Sequence, residues 1–106
     1  MKQTDADLQR YYNTANRLYF RNALPNDLPI VFDRLRPKVL GSTATRGAIA
    51  HGIRISIRLR PFLCLTVMTV LHEMLHVEKP LHCGHDWRFD KRMLRLAKAG
   101  AFDGLW

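Results

Sequence analysis

The segment TVLHEMLHVEKPLHCGHDWRF, residues 69–89, decides the fold and holds four histidines, two glutamates and one cysteine. An apolar run, residues 62–71, leads into it; Pro61 precedes the run and Pro80 follows the first two histidines. Proline suits the first turn of a helix and ends one from within, so a helix is predicted as far as residue 79. Because this helix is apolar on nearly every side, we expect it to be central.

The ionisable groups at the end of this helix have the spacing of a metal site. His72 and His76 are four residues apart, so both imidazoles project from one helix face and can reach one ion. Glu73 lies one step around the helix, where it can approach a water molecule bound to that ion. This H-E-x-x-H spacing is typical of zinc sites in which the glutamate is the general base. Two partly exposed histidines on an ordinary helix are the alternative, but a buried carboxylate favours a nearby dication.

A catalytic zinc ion usually takes three protein ligands, and three residues compete for the third position. His82 has the metzincin spacing, but Lys79 stands where that motif has its glycine. Cys83 would give a thiolate-rich site, which is less usual for this motif. His85 opens the predicted last helix, and Gly84 gives the chain freedom to return the His85 ring toward the first two ligands.

The N-terminal half of the chain predicts one helix and two short strands. Thr4 or Asp5 is placed to cap the helix, and turn-forming residues 22–29 end it. Apolar and β-branched runs predict strands at 30–32 and 39–45. The expected inner face of the helix consists of Leu8, Tyr11, Tyr12, Ala15, Leu18 and Tyr19.

The clearest strand signal lies in residues 53–60, where isoleucine and leucine alternate with serine and arginine after a predicted turn at 47–52. A last helix is expected at 86–99, ended by Gly100. The predicted basic face of the strand consists of Arg54, Arg58 and Arg60, and that of the last helix of Arg88, Lys91, Arg92, Arg95 and Lys98.

The length and composition favour a single domain, residues 1–106, with seventeen basic against nine acidic residues and a net charge of +8. Such a charge suggests weak, non-specific DNA binding through the two basic faces, with plain solubility as the alternative. Cys64 and Cys83 do not indicate a disulfide framework. The N-terminus does not resemble a signal peptide, and the apolar run is too short to span a membrane, so a cytoplasmic protein is expected. We also expect this protein to be a monomer.

HEMLH, residues 72–76, followed by HDWRF, residues 85–89, resembles the SprT-like metalloproteases, the group that includes Spartan. The resemblance implies a minimal zincin (gluzincin-like) α+β fold: an N-terminal helix, a small mostly antiparallel sheet, the HExxH helix and a C-terminal helix. It also implies one zinc ion held by His72, His76 and His85, with Glu73 as general base.

The predicted function is that of a zinc-dependent endopeptidase, which hydrolyses peptide bonds with a metal-activated water. The family resemblance adds protein substrates associated with DNA. We expect an extended peptide to pair with residues 53–59 as the edge of the sheet, and the oxyanion to be stabilised by His51, Arg46 or a tyrosine of the first helix. One alternative is a DNA-binding module with a structural zinc and no proteolysis, against which the intact Glu73 argues. Another is a metal-free interaction domain.

Overall fold

The computed structural model describes residues 2–78 except 27, 47 and 48, together with Lys91, Leu94, Arg95, Lys98 and Gly100. In chain order its elements are α1 (Asp5–Tyr19), β1 (Ile30–Asp33), β2 (Gly41–Arg46), β3 (Ile49–Ser56), a 3-10 helix (Ile57–Leu59) and α2 (Leu63–Glu78). Within the described residues, two helices and a three-stranded sheet make a small α+β fold, which confirms the predicted α+β class.

Helix α1 begins with a capping box, in which the side chains of Thr4 and Asp7 each accept a hydrogen bond from the backbone N–H of the other residue. The Thr4 hydroxyl accepts from the Asp7 backbone N–H at 3.3 Å, and the Asp7 carboxylate accepts from the Thr4 backbone N–H at 2.8 Å. Leu8 and Tyr12 are fully buried on the inner face as predicted, whereas Leu18 is exposed. The start of the helix and most of its buried face are therefore readable from local sequence.

The loop after α1 is built around a buried polar side chain. The Asn16 amide nitrogen donates to the Leu24 carbonyl at 2.9 Å, and its amide oxygen accepts from the Leu24 N–H at 3.1 Å. The Asn16 backbone carbonyl accepts from the N–H of Asn22 at 2.9 Å. Arg21 and Asn22 have φ values of 51° and 58°, the left-handed conformation that reverses the chain here.

The sheet has the strand order β1-β3-β2, with β1 parallel and β2 antiparallel to β3. It is therefore mixed, and the antiparallel ladder is the longer of the two, so the expected mostly antiparallel sheet is confirmed only in part. The reason is the connection of residues 34–40, which reverses the chain after β1 and leaves room for β3 between the first two strands. Of the segment predicted as the sheet edge, residues 53–59, the first four residues belong to the central strand β3, and residues 57–59 form the 3-10 helix.

Strand β3 is shifted along the chain from its prediction. It begins at Ile49, inside the predicted turn, and ends at Ser56. Beyond it the Arg58 guanidinium donates to the carbonyls of Pro37 at 2.6 Å and Arg36 at 2.8 Å. These carbonyls belong to the connection between β1 and β2, so Arg58 fastens that connection to the end of the sheet.

Helices α1 and α2 contact each other and the sheet, α1 at β1 and α2 at β2 and β3. The core between the helices and the sheet includes Ile53 and Ile55 of β3 and Leu71 and Met74 of α2, all almost fully buried. Leu63 at the start of α2 is half exposed, so only the later turns of this helix have the central position predicted for all of it. In the part of the chain that the structure describes, no helix is long and apolar enough to cross a bilayer.

Most of the predicted last helix lies outside the described residues. The positions that are described, Lys91, Leu94, Arg95 and Lys98, are all helical and exposed. Gly100 has a φ of 89°, the left-handed conformation that suits glycine after a helix. The Tyr19 hydroxyl donates to the Gly100 carbonyl at 3.4 Å, which joins this region to the end of α1.

Candidate metal centre

The second half of α2 places three potential metal ligands side by side. His72 and His76 are half-buried, and Glu73 is buried with 5% of its surface exposed. The helix is fixed in this position by the burial of Leu71, Met74 and Leu75 against α1 and the sheet. The three ionisable groups therefore project from a rigid, packed element rather than from a loop, as the sequence predicts.

The side chains of this cluster are close enough to share one ion. One ligand atom from each of His72, Glu73 and His76 lies within 4.8 Å of the other two. The centroids of the two imidazole rings are 5.1 Å apart, and the ring planes meet at 62°. Glu73 Oε2 lies 3.9 Å from His72 Nε2. The i, i+4 spacing of the two histidines on the helix therefore brings their candidate ligand atoms close together, as predicted.

Strand β2 contributes to the site through a residue that the sequence analysis missed. The Thr43 hydroxyl lies 2.8 Å from Glu73 Oε1, and 3.3 Å from the Glu73 backbone carbonyl. A hydroxyl has one proton, and the shorter distance assigns its main hydrogen bond to the carboxylate. The Glu73 side chain is therefore held between its own helix and the neighbouring strand.

Close approach of β2 to α2 depends on Gly41. A Cβ atom at this position would lie 2.8 Å from Thr69 Cγ2 and 3.0 Å from Glu73 Cγ, which is closer than packed carbon atoms come. The only signal for this contact in the sequence is the run of small residues Gly-Ser-Thr-Ala-Thr in β2, since small strand residues can mark the close approach of another element.

The candidates for a third ligand, His82, Cys83 and His85, lie outside the described residues. The same holds for Arg88 and Arg92 of the predicted basic helix face. The choice of His85 therefore remains a prediction from the family resemblance.

The three arginines predicted on one strand face do not share it. Arg54 is on β3, where its guanidinium lies 3.5 Å from the Asp33 carboxylate. Arg58 is in the 3-10 helix that follows. Arg60 lies beyond that helix, with Nε donating to the Gln3 carbonyl at 2.9 Å. The expected common face is wrong because β3 ends before the alternating pattern does.

The candidates for stabilising the oxyanion are scattered. Arg46 is exposed at the end of β2, and His51 is exposed on β3. The Tyr12 hydroxyl donates to the Pro25 carbonyl at 2.6 Å, and that of Tyr19 to the C-terminal region, so these two tyrosines hold the fold together.

No family model, curated protein or solved structure matches this chain, so its function has to be argued from the site itself.

Proposed function

We propose that this chain is a zinc-dependent endopeptidase with a minimal zincin fold of the SprT-like type. The observation that carries the proposal is the buried Glu73 carboxylate, placed beside two histidines of the same helix and hydrogen-bonded to Thr43. A buried carboxylate is costly unless its charge is compensated, and a dication beside it supplies that compensation.

The donor set suits zinc. Zinc takes imidazole nitrogens at about 2.0–2.1 Å in a tetrahedral arrangement, which places two such nitrogens roughly 3.3 Å apart. One nitrogen of His72 and one of His76 lie within 4.8 Å of each other, so the two imidazoles could hold one zinc ion. His85 would complete the set, as the family resemblance implies. When bound, zinc lowers the pKa of a coordinated water and polarises a carbonyl group.

In the proposal Glu73 acts as the general base, and His72, His76 and His85 act as the ligands. Glu73 is next to His72 in the chain, with its Oε2 3.9 Å from His72 Nε2, close enough to reach a water bound beside the two imidazoles. In the proposed reaction Glu73 takes a proton from the water that attacks the scissile carbonyl. It then gives that proton to the amine nitrogen as the carbon–nitrogen bond breaks.

Strand β2 is the candidate surface for an extended peptide substrate. Among the described strands it is an edge strand, and it is the edge that meets the metal cluster. The Ser56 N–H donates to the Leu40 carbonyl, so the pair of residues 40 and 56 is hydrogen-bonded. Because such pairs alternate, Gly41 and Thr43 direct their backbone N–H and carbonyl groups away from β3. These groups can pair with a substrate backbone.

Association of the substrates with DNA is proposed from charge. The net charge is +8, and Lys91, Arg95 and Lys98 are each helical and exposed, with the spacing of a single helix face. Arg54 and Arg58 are weaker candidates, because both have protein partners. If the helical set binds phosphates, replacing all three residues by alanine should make duplex binding weaker and less salt-dependent. The slope of log K against log salt should fall by about 0.9 for each phosphate that the variant no longer neutralises.

The proposed protease activity is tested by comparing the wild type with Glu73→Gln. Both proteins should bind one equivalent of zinc, and only the wild type should cleave a denatured protein substrate, with or without single-stranded DNA. Loss of zinc from Glu73→Gln would mean that Glu73 is a ligand rather than the base. Zinc binding and DNA binding by a wild type that cleaves no substrate would favour the alternative, a DNA-binding module with a structural zinc.

A further inference from the structure

We infer that Thr43 is a positioning residue for Glu73, which holds the proposed general base in the orientation used for proton transfer. The inference rests on the proposed function and adds a residue of the sheet to the catalytic helix. Thr43 is thirty positions from Glu73 in the chain, and its hydroxyl lies 2.8 Å from Glu73 Oε1.

The hydrogen bond gives the two oxygens of the carboxylate different positions. Oε1 accepts from Thr43, while Oε2 lies 3.9 Å from His72 Nε2 and 3.2 Å from the position that a Cβ atom of Gly41 would occupy. A glutamate side chain has three rotatable bonds, and fixing them in advance lowers the cost of reaching the reactive geometry. Gly41 adds to this restraint, because the position of its missing Cβ lies 3.0 Å from Glu73 Cγ.

Thr43 also connects the base with the proposed substrate strand. Its side chain reaches Glu73, while its backbone groups point toward the outer edge of β2, where an extended peptide would pair. One residue would therefore set both the orientation of the base and the register of the bond to be cleaved. A shift of about 1 Å in such an arrangement can reduce the rate about 100-fold.

The kinetic test compares three replacements of Thr43. Thr43→Val keeps the shape of the side chain and removes the hydroxyl. Thr43→Ala removes both the hydroxyl and the methyl group, and Thr43→Ser keeps the hydroxyl. The variants without a hydroxyl should lose about 10–100-fold in kcat, the usual effect of removing an outer-shell partner, while KM and zinc content stay unchanged. Thr43→Ser should retain most of the wild-type kcat. The matched control is Thr14→Val, which changes an exposed threonine of α1 rather than of the proposed substrate strand and should have no effect.

A second measurement reports on the contact without any catalysis. Glu73 and Glu78 are the only glutamates of the chain, so a protein labelled with 13C at the glutamate carboxyl gives two carboxylate signals. Glu73→Gln assigns them. In the metal-free protein, Thr43→Val and Thr43→Ala should shift the Glu73 signal and leave that of Glu78 in place, whereas Thr43→Ser and Thr14→Val should shift neither.

The two measurements separate failure of the inference from failure of the proposed function. A wild type that cleaves its substrate together with a fully active Thr43→Val would overturn the inference alone. So would a loss of kcat that Thr43→Ser does not restore, or a Glu73 signal that Thr43→Val leaves unchanged. A wild type that binds zinc and cleaves nothing would overturn the proposed function, and the catalytic role of Thr43 with it.

Discussion

Gly41 is the position at which packing and the proposed chemistry can be perturbed together. In Gly41→Ala the new Cβ would meet Thr69 Cγ2 at 2.8 Å and Glu73 Cγ at 3.0 Å, whereas carbon atoms pack best at about 3.5–4.0 Å. Both neighbours belong to α2, which is held by its buried residues on the other side. The strand and the helix must therefore move apart by several tenths of an ångström, or the Glu73 side chain must turn.

The size of the effect follows from two opposing contributions. An extra methyl group in a tightly packed contact destabilises a protein by about 1–3 kcal/mol. The loss of chain freedom in the unfolded state returns about 0.4–1 kcal/mol, since Gly41 does not have a left-handed backbone. The net loss should be about 1–2 kcal/mol, which lowers Tm by roughly 4–16 °C in a domain of this size.

Urea unfolding of the metal-free protein measures this loss, with Ser42→Ala on the opposite face of the same strand as the control. Adding Thr69→Ser to Gly41→Ala removes the methyl group at 2.8 Å and keeps the hydroxyl that donates to the Leu65 carbonyl. The double variant should recover part of the lost stability. A Gly41→Ala protein as stable as the wild type, or a double variant with purely additive losses, would refute the packing argument.

Three further predictions concern other parts of the chain. Asn16→Ala leaves a buried backbone N–H and carbonyl without their partners and should cost about 2–4 kcal/mol in urea unfolding. The pKa of Asp7 is lowered below 3.8, mainly by the hydrogen bond that its carboxylate accepts from the backbone N–H of residue 4. The ionised carboxylate therefore stabilises the folded state above the unfolded-state pKa, and this stability is lost as pH falls through the lower folded-state pKa. Asp7→Asn should therefore be less stable than the wild type at about pH 6, and the difference should shrink in acid. His85→Ala should lose zinc or bind it far more weakly by metal analysis, while His82→Ala should keep it.

Each of these predictions has an outcome that contradicts it. An Asn16→Ala protein that unfolds like the wild type would mean that the loop satisfies its backbone in another way. A stability difference for Asp7→Asn that stays constant from about pH 6 down to about pH 2, the range over which carboxyl groups titrate, would remove the electrostatic account of the cap. Zinc loss in His82→Ala but not in His85→Ala would transfer the third ligand to the metzincin spacing.

The sequence by itself determined the features that depend on local geometry. The convergence of His72 and His76 follows from the helical repeat, and the capping box of Thr4 and Asp7 follows from a spacing of three residues. The α+β class and the approximate places of all three strands also follow from local pattern. For the two histidines and for the cap, the interacting groups are separated by about one helical turn, so the backbone conformation alone brings them together.

Only the tertiary structure decided which strand borders the site and what holds Glu73. The pattern of residues 53–60 predicts a strand, but it does not contain the strand order that makes β3 central and β2 the edge. Nor does that pattern indicate that the Arg58 guanidinium would donate to a backbone carbonyl of the connection between β1 and β2 rather than extend from a strand face. Thr43 and Glu73 meet across thirty residues because the sheet packs under α2 at Gly41. Such contacts depend on how whole elements pack against each other, and local spacing along the chain cannot specify that.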